Sequence, residues 1–252
     1  MAGGFSFGGT TAASLGLTLL ESPIPALATL REREASIEGK HGEYDFGTEF
    51  GRRELRLQCL LVGTSASDLW AKMDTLAKTL DPRQAYQQLI FDFMASRYYL
   101  ARVSAIPELQ KFSPRKGHME LSFKVKDAFA YGTSLVQSSH TITVDPQSVS
   151  ESVGGNAPAE PEYQLTCGSA ISGGTVVVNN ATSDLSLSWG GTLAAGDVLA
   201  IKLANWVCER NGTVVMANVS GQFPALRGGT ANSITVSGFR GTAVIEYRSR
   251  WL

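Results

Sequence analysis

Three histidines, His41, His118 and His140, are the first side chains to weigh in this 252-residue sequence. Imidazole titrates near neutral pH and is the commonest metal ligand. Each one stands alone, at no metal-ligand spacing from a Cys, Asp or Glu. His41 lies in a Gly-rich turn and His118 opens a strand-like run, which predicts solvated or capping roles. Asp92, Glu108, Asp184 and Asp197 are the carboxylates available for paired acid–base work. Asp184 and Asp197 begin strands beside turns, where Asp is favoured for its local hydrogen bonds. No G-x-S-x-G, Walker or H-E-x-x-H pattern is present. "GGFSFGG" does not sit between a strand and a helix, so it is no phosphate cradle. Cys59, Cys167 and Cys208 are odd in number and widely spaced, and read as small buried hydrophobes of a reducing compartment. The expectation is a chain with no catalytic residue, no cofactor and no metal. Trp189 and Trp206 raise one binding idea, stacking on a sugar ring. Trp189 is in phase with Leu185 and Leu187, which favours the core for it.

Composition supports folded domains. Hydrophobic residues make up 43% and charged residues 18%, enough apolar material for real cores. The 22 basic and 23 acidic side chains exclude sequence-independent nucleic-acid binding driven by excess charge. The apolar N-terminus lacks a basic region and is interrupted by Glu21, Pro23 and Pro25, so neither a leader nor a membrane span is expected.

The elements that must position these residues are mostly strands. "RRELRLQCLLVG" alternates, with Leu55, Leu57, Cys59 and Leu61 on one face and Glu54, Arg56 and Gln58 on the other. "TLREREASIEG" alternates too, and the pair reads as a hairpin whose long connection is the Gly-rich "HGEYDFGTEFG". One helix is expected over 65–81, capped by Ser65 or Ser67 and ended by Asp81-Pro82. Its apolar stripe, Leu69, Trp70, Met73, Leu76, Ala77 and Leu80, reads as core. "QQLIFDFM", "YYLARVSAI" and "GHMELSFKVKDAF" follow as strands, the last with Met119, Leu121, Phe123 and Val125 inward. A stretch rich in Ser, Gly and Pro from about 132 to 162 reads as a linker with one strand. Beyond it strands and turns alternate every 8–12 residues or so, the spacing of a sandwich or barrel. Asn211-Gly212 reads as a type I′ hairpin turn. "FPALRGG" reads as a crossover between strands, with a docking edge as the other option. The chain therefore divides into a β-rich domain with one helix over 1–134 and a β-sandwich domain over 135–252.

The order of several motifs resembles the distal tail proteins of long-tailed, non-contractile bacteriophages. In the first domain these are "GKHGEYDFGTEFGRRELRLQCLLVGTSASDLWAKMDTLAKTLDP", "FDFMASRYYLARV" and "MELSFKVKDAFAYG". In the second they are "GGNAPAEPEYQLTC", "NNATSDLSLSWGGTLAAGDVLAIKLANWVCERNG" and "FPALRGGTANSITVSG". Ala128 and Phe129 stand where relatives often carry a proline after the aspartate. The resemblance implies a mainly β fold: an N-terminal sandwich or barrel-like domain with one packed helix, and a C-terminal galectin-like sandwich.

It also implies a non-enzymatic virion protein at the tail tip, a hexameric hub made in the host cytoplasm. The implied partners are five further copies, the tail tube protein, the tail tip or fibre protein and receptor-binding proteins. DNA would pass through the lumen only as cargo, and no membrane is entered. Edge strands must be covered or used, and a head-to-tail contact that closes uses one patch repeatedly. A belt over roughly 31–54 is therefore expected to reach the neighbouring subunit, with Arg31, Arg33, Glu34, Arg52, Arg53 and Glu54 as interface charges. The alternative is a host-surface carbohydrate-binding module acting through the C-terminal sandwich, with Trp206 and Trp189 as glycan contacts.

Overall fold

The computed structural model describes residues 3–105 and 107–252. The chain forms two compact units, Met1–Thr133 (with Leu252) and Ser134–Trp251.

The first unit comprises β1 (Phe5–Phe7), β2 (Thr10–Thr11), β3 (Leu17–Glu21), β4 (Leu30–Ser36), β5 (Glu43–Phe50) and β6 (Glu54–Val62). Then come α1 (Ala66–Thr79), β7 (Gln87–Phe91), β8 (Arg97–Val103), β9 (Leu109–Ser113), β10 (Lys116–Val125) and β11 (Ala130–Gly132). Its main sheet runs β2-β1-β7-β8-β10-β6-β3, with β9 on β10 and β11 on β8. A bridge between Gly3 and Leu19 ties the N-terminal segment to β3 at the far end of the row, so the sheet curls on itself. The alternation expected for β6 and β10 holds. Leu55, Leu57, Cys59 and Leu61 are buried, and so are Met119, Leu121, Phe123 and Val125. The antiparallel register places Leu121 opposite Leu57 and Phe123 opposite Leu55. Period 2 puts one face of each strand inside, and each buried Leu or Phe contributes about 1.5–3 kcal/mol.

Helix α1 starts where Ser65 Oγ accepts a bond from the Asp68 N–H at 3.0 Å. That bond satisfies one of the free donors of the first turn. Gly63 makes the entry possible, since a Cβ there would lie 2.8 Å from the Leu69 nitrogen and 2.9 Å from the Ser65 carbonyl. The helix buries Leu69 and Leu76, and Leu80 at its C-cap is buried too, but Trp70 is 54% exposed and Ala77 faces outward. The core assignment of Trp70 is corrected accordingly. Adjacent residues sit 100° apart on a helix, so Leu69 and Trp70 cannot share the centre of one stripe.

A larger correction concerns the hairpin. β4 does not pair with β6. It pairs antiparallel with β5, the segment read as a connection, from Leu30 opposite Phe50 to Ser36 opposite Glu43. β6 instead joins β3 and β10. "EYDFGTEF" alternates in its own right, and Gly47, at φ 98°, takes up the bulge between the two halves of the ladder.

The second unit comprises β12 (Val136–Ile142), β13 (Gln147–Val153), β14 (Glu162–Cys167), β15 (Ile171–Asn180), β16 (Leu185–Leu193), β17 (Val198–Lys202), β18 (Val207–Arg210) and β19 (Thr213–Val214). β20 (Val219–Gly221), β21 (Thr230–Ser237), β22 (Gly241–Tyr247) and β23 (Arg250–Trp251) complete it. Two antiparallel sheets, β12-β22-β14-β17-β18-β19 and β13-β21-β15-β16-β20, form a sandwich. The stretch read as a linker with one strand therefore carries two, one on each sheet. Trp189, Tyr163, Phe239, Leu187, Val178 and Ile245 belong to its core. Asn211 and Gly212 both take positive φ, 49° and 78°, as the hairpin turn requires.

"FPALRGG" is a crossover, carrying the chain from edge strand β20 to β21 past β16 and β15. Leu226 and Ala159 exchange backbone bonds of 2.8 and 3.0 Å. Buried Asn180 and Asn232 bind each other at 3.0 Å and reach the Ala225 carbonyl and the Arg227 N–H.

Asp197 clamps the neighbouring turns. It accepts bonds from Asn211 Nδ2 (2.8 Å), the Ala194 N–H (2.8 Å) and Arg210 Nη2 (2.7 Å). These bonds, Asn211 first, hold its carboxyl down to about 2. A depressed carboxyl stabilises the fold above its unfolded value near ~3.9, and that stability disappears as pH falls toward the folded value. Asp197→Asn is expected to lower the melting temperature at pH 7 and to flatten its fall between about pH 4 and about pH 2. Parallel melting curves of the two proteins over that range would overturn the assignment.

Candidate assembly interface

The β4–β5 hairpin is exposed along its whole length. A two-stranded hairpin is marginally stable by itself in water, yet this one carries Leu30, Ile37, Tyr44, Phe46 and Phe50 on its surface, Phe46 at 67%. Pairing sorts its side chains. Glu34 sits opposite Asp45 and Ser36 opposite Glu43, while Ala35 sits opposite Tyr44. One face thus gathers Glu32, Glu34, Glu43 and Asp45. The other gathers Tyr44, whose ring lies 6.5 Å from that of Phe46, and the arginines of the ladder. Arg33 reaches Glu49 at 2.7 Å and Arg31 reaches it at 4.0 Å. Lys40 Nζ stands 3.3 Å from the centre of the Tyr44 ring. The Glu34 carboxyl is pushed up, first by its hydrogen bond to Glu43 and then by the repulsion of that carboxylate.

The root of the hairpin is firm. The Gly51 N–H donates to the Thr29 carbonyl at 2.6 Å, and Thr29 Oγ1 donates to the Arg52 carbonyl at 2.8 Å. Arg53 is only 2% exposed. Its Nη1 donates to the Pro25 carbonyl at 3.0 Å, its guanidinium stands 5.7 Å from the Tyr99 ring centre, and its backbone carbonyl accepts the Val125 N–H.

Of the six charges expected at an interface, the structure brings Arg31, Arg33 and Glu34 together on the hairpin and leaves Arg52 and Glu54 exposed at its root, 3.7 Å apart. Arg53 is corrected. It holds the root from inside, so reversing its charge would damage the fold rather than a contact. The signal was its phase, since Arg53 shares the inward face of Leu55 and Leu57. The apolar side chains Tyr44 and Phe46 were missed because their segment passed for a connection.

The other candidates fall away or change role. Trp189 is 2% exposed and packs in the sandwich core, which removes it as a stacking platform. Trp206 is 64% exposed, edge-on to Phe223 at 5.4 Å. His41 is exposed at the hairpin tip, and His118 is exposed and stacks on Phe112 at 4.8 Å. His140 is not isolated: its Nε2 lies 2.5 Å from Oε1 of buried Glu151. Asp92, Glu108 and Asp184 are scattered among turns and strand ends. No group of His, Cys, Asp and Glu suited to a metal occurs among the described residues, and no helix among them is long and apolar enough to cross a membrane.

Comparison with known proteins follows this geometry closely. A family model described as phage tail protein RIFT-related domain matches residues 13–125. A second, described as siphovirus-type tail component, C-terminal domain, matches residues 154–251. No curated protein matches the chain by sequence. In fold it is similar to SPP1 Dit (gp 19.1), described as a paradigm of hub adsorption apparatus in Gram-positive infecting phages. That likeness has a TM-score of 0.80 and 14% identity over 100% of both chains. A chain of the phage P2 baseplate in its activated conformation with Ca gives a TM-score of 0.48 at 7% identity, over 99% of this chain and 98% of that one. The tail-domain models account for both units in turn, and the whole-length likeness shows the same two-domain fold. The chain therefore belongs to the siphophage distal tail protein family, structural hub components of the phage tail tip.

Proposed function

We propose that six copies of this chain form a closed ring at the distal end of the tail, joining the tail tube to the tip apparatus around a lumen for passing DNA. The ring needs no catalytic residue and no cofactor. The observation that carries the reading is the β4–β5 hairpin, rooted at its base and exposed everywhere else. Its apolar and charged surface is unfinished in one chain and finished by contact with the next. A contact between two different patches propagates head to tail and closes when the rotation allows. The barrel-like unit then forms the ring, and the galectin-like sandwich receives fibre or receptor-binding proteins. Assembly takes place in the host cytoplasm, before the protein enters the virion.

Negative-stain images and native mass spectrometry of the purified chain test this. The expected species is a ring of about six times the 26.9 kDa of one chain. A monomer at every concentration, with or without the tail tube protein, would overturn it. A second reading, sugar binding by the sandwich, rests on exposed Trp206 alone of the two tryptophans.

A further inference from the structure

Arg53 has more hydrogen-bonding capacity than its own chain uses. A guanidinium stays charged in proteins and carries five N–H donors in a planar fork. Nη1 donates to the Pro25 carbonyl at 3.0 Å, and the Tyr99 ring centre lies 5.7 Å away. Nε and Nη2 are closed off from solvent and find no hydrogen-bond partner among the described residues. No carboxylate among those residues stands within ion-pair distance of Arg53. Glu54, its neighbour in sequence, lies with Arg52 instead. Asp127, two residues beyond the Val125 whose N–H binds the Arg53 carbonyl, accepts bonds from Tyr131 Oη and the Phe129 N–H.

The two unpartnered donors belong together. Nε–H and Nη2–H leave the same edge of the guanidinium in parallel, and that edge grips two oxygens of one carboxylate or phosphate. A buried cation without a counter-charge is strongly disfavoured. One bidentate oxyanion supplies the charge and both bonds at once.

The segment that reaches Arg53 is lightly held. Residues 22–29 form neither helix nor strand, and Pro25 and Leu27 are exposed. Among the described residues, the bond from Arg53 to Pro25 is the one hydrogen bond that holds residues 22–28. A stretch with so few bonds opens at small cost, which gives a small ion a way in.

We infer that the Nε–Nη2 edge of Arg53 is a binding site for a small free oxyanion, a carboxylate or phosphate ion, beneath the 22–28 segment. The bound ion neutralises the guanidinium and fastens the segment to the root of the hairpin, where Thr29 meets Gly51 and Arg52. The site lies within one unit of one chain, so the inference goes beyond the ring reading and does not depend on it.

Thermal melts of the full-length chain at pH 7 test it, with sodium formate or sodium phosphate replacing sodium chloride at constant ionic strength. A ligand that binds only the folded chain raises the melting temperature with the logarithm of its concentration. The expected rise is about 3 °C by about 20 mM of at least one of the two ions. Arg53→Met should show none of this rise. Arg53→Lys, which keeps the charge and loses the fork, should bind the ion at least tenfold more weakly. Hydrogen exchange in the parent protein should slow severalfold at the amides of residues 26–29 and Gly51, and not in the sandwich. That measurement decides the matter alone if the Arg53 variants do not fold. A parent protein indifferent to both ions, a rise that persists in Arg53→Met, or slowed exchange confined to other segments would each overturn the inference.

Discussion

A chain in which residues 30–50 are replaced by a short Gly-Ser turn will fold and will form no rings. Folding survives because the hairpin adds nothing to the core of its unit. None of the side chains of β4 or β5 is buried, and the buried residues of the unit come from its other elements. The splice is also local. Leu30 and Phe50 face each other across the ladder, and the bond from Gly51 to Thr29 already closes the base. Joining two adjacent ends by a few residues carries little loop entropy. The melting temperature should move by no more than a few degrees, since exposed residues away from caps and cores contribute within about 0.5 kcal/mol each. Assembly is lost outright, because each copy gives one hairpin and the contact has no second donor. Circular dichroism melts and negative-stain images of the same preparation check both halves. Rings formed by the spliced chain would remove the hairpin from the assembly. A milder variant, Tyr44→Ser with Phe46→Ser, keeps the backbone and should weaken rings without abolishing the fold.

His140→Ala should destabilise the sandwich by about 3 kcal/mol, the low end for breaking a buried ionic or hydrogen-bonded pair by removing one partner. Glu151 projects from β13 in one sheet. Its Oε1 receives Ser138 Oγ and lies 2.5 Å from His140 Nε2, both from β12 in the other sheet. The Glu151 side chain is buried and that of His140 mostly so, with 6% and 25% exposed. Without the imidazole, the largely buried carboxylate keeps one hydroxyl donor, and the unmade bond is the main loss. For a unit of this size the change lowers the melting temperature by roughly 10 °C. Replacing both residues, His140→Val with Glu151→Val, should recover most of the loss, because no buried polar group is then left alone. A His140→Ala protein that melts within a degree of the parent would show that the pair contributes nothing.

Much of this architecture was readable beforehand because it is local. Strand alternation placed the inward residues of β6 and β10, a serine and an aspartate marked the start of α1, and Asn211-Gly212 marked a turn that only positive φ can make. What was misread depended on choices that sequence leaves degenerate. β4 had two alternating partners within reach, and the nearer one looked like a loop because glycines interrupt it. Trp70 lay one residue from the centre of a helical stripe, where side chain size suggests burial and angle forbids it. The pairing of His140 with Glu151 has no sequence signature at all, since only the stacking of two sheets brings strands β12 and β13 face to face. Resemblance and charge singled out the hairpin as a candidate interface, but its aromatic side chains became visible only once it was seen to stand clear of the core of its unit.

The three cysteines remain as free thiols in the interior, one in the barrel and two in the sandwich. Burial pushes the Cys59 thiol up to about 12 and, chiefly, the Cys208 thiol to about 11. Oxidants and alkylating agents attack the exposed thiolate, and these two groups are neither exposed nor ionised. The fold contains no cross-link that a reducing environment could open, and no accessible thiol from which an oxidising one could start disulfide exchange. A protein built this way holds its fold without reference to the thiol–disulfide balance of the place where it is made or the place where it waits.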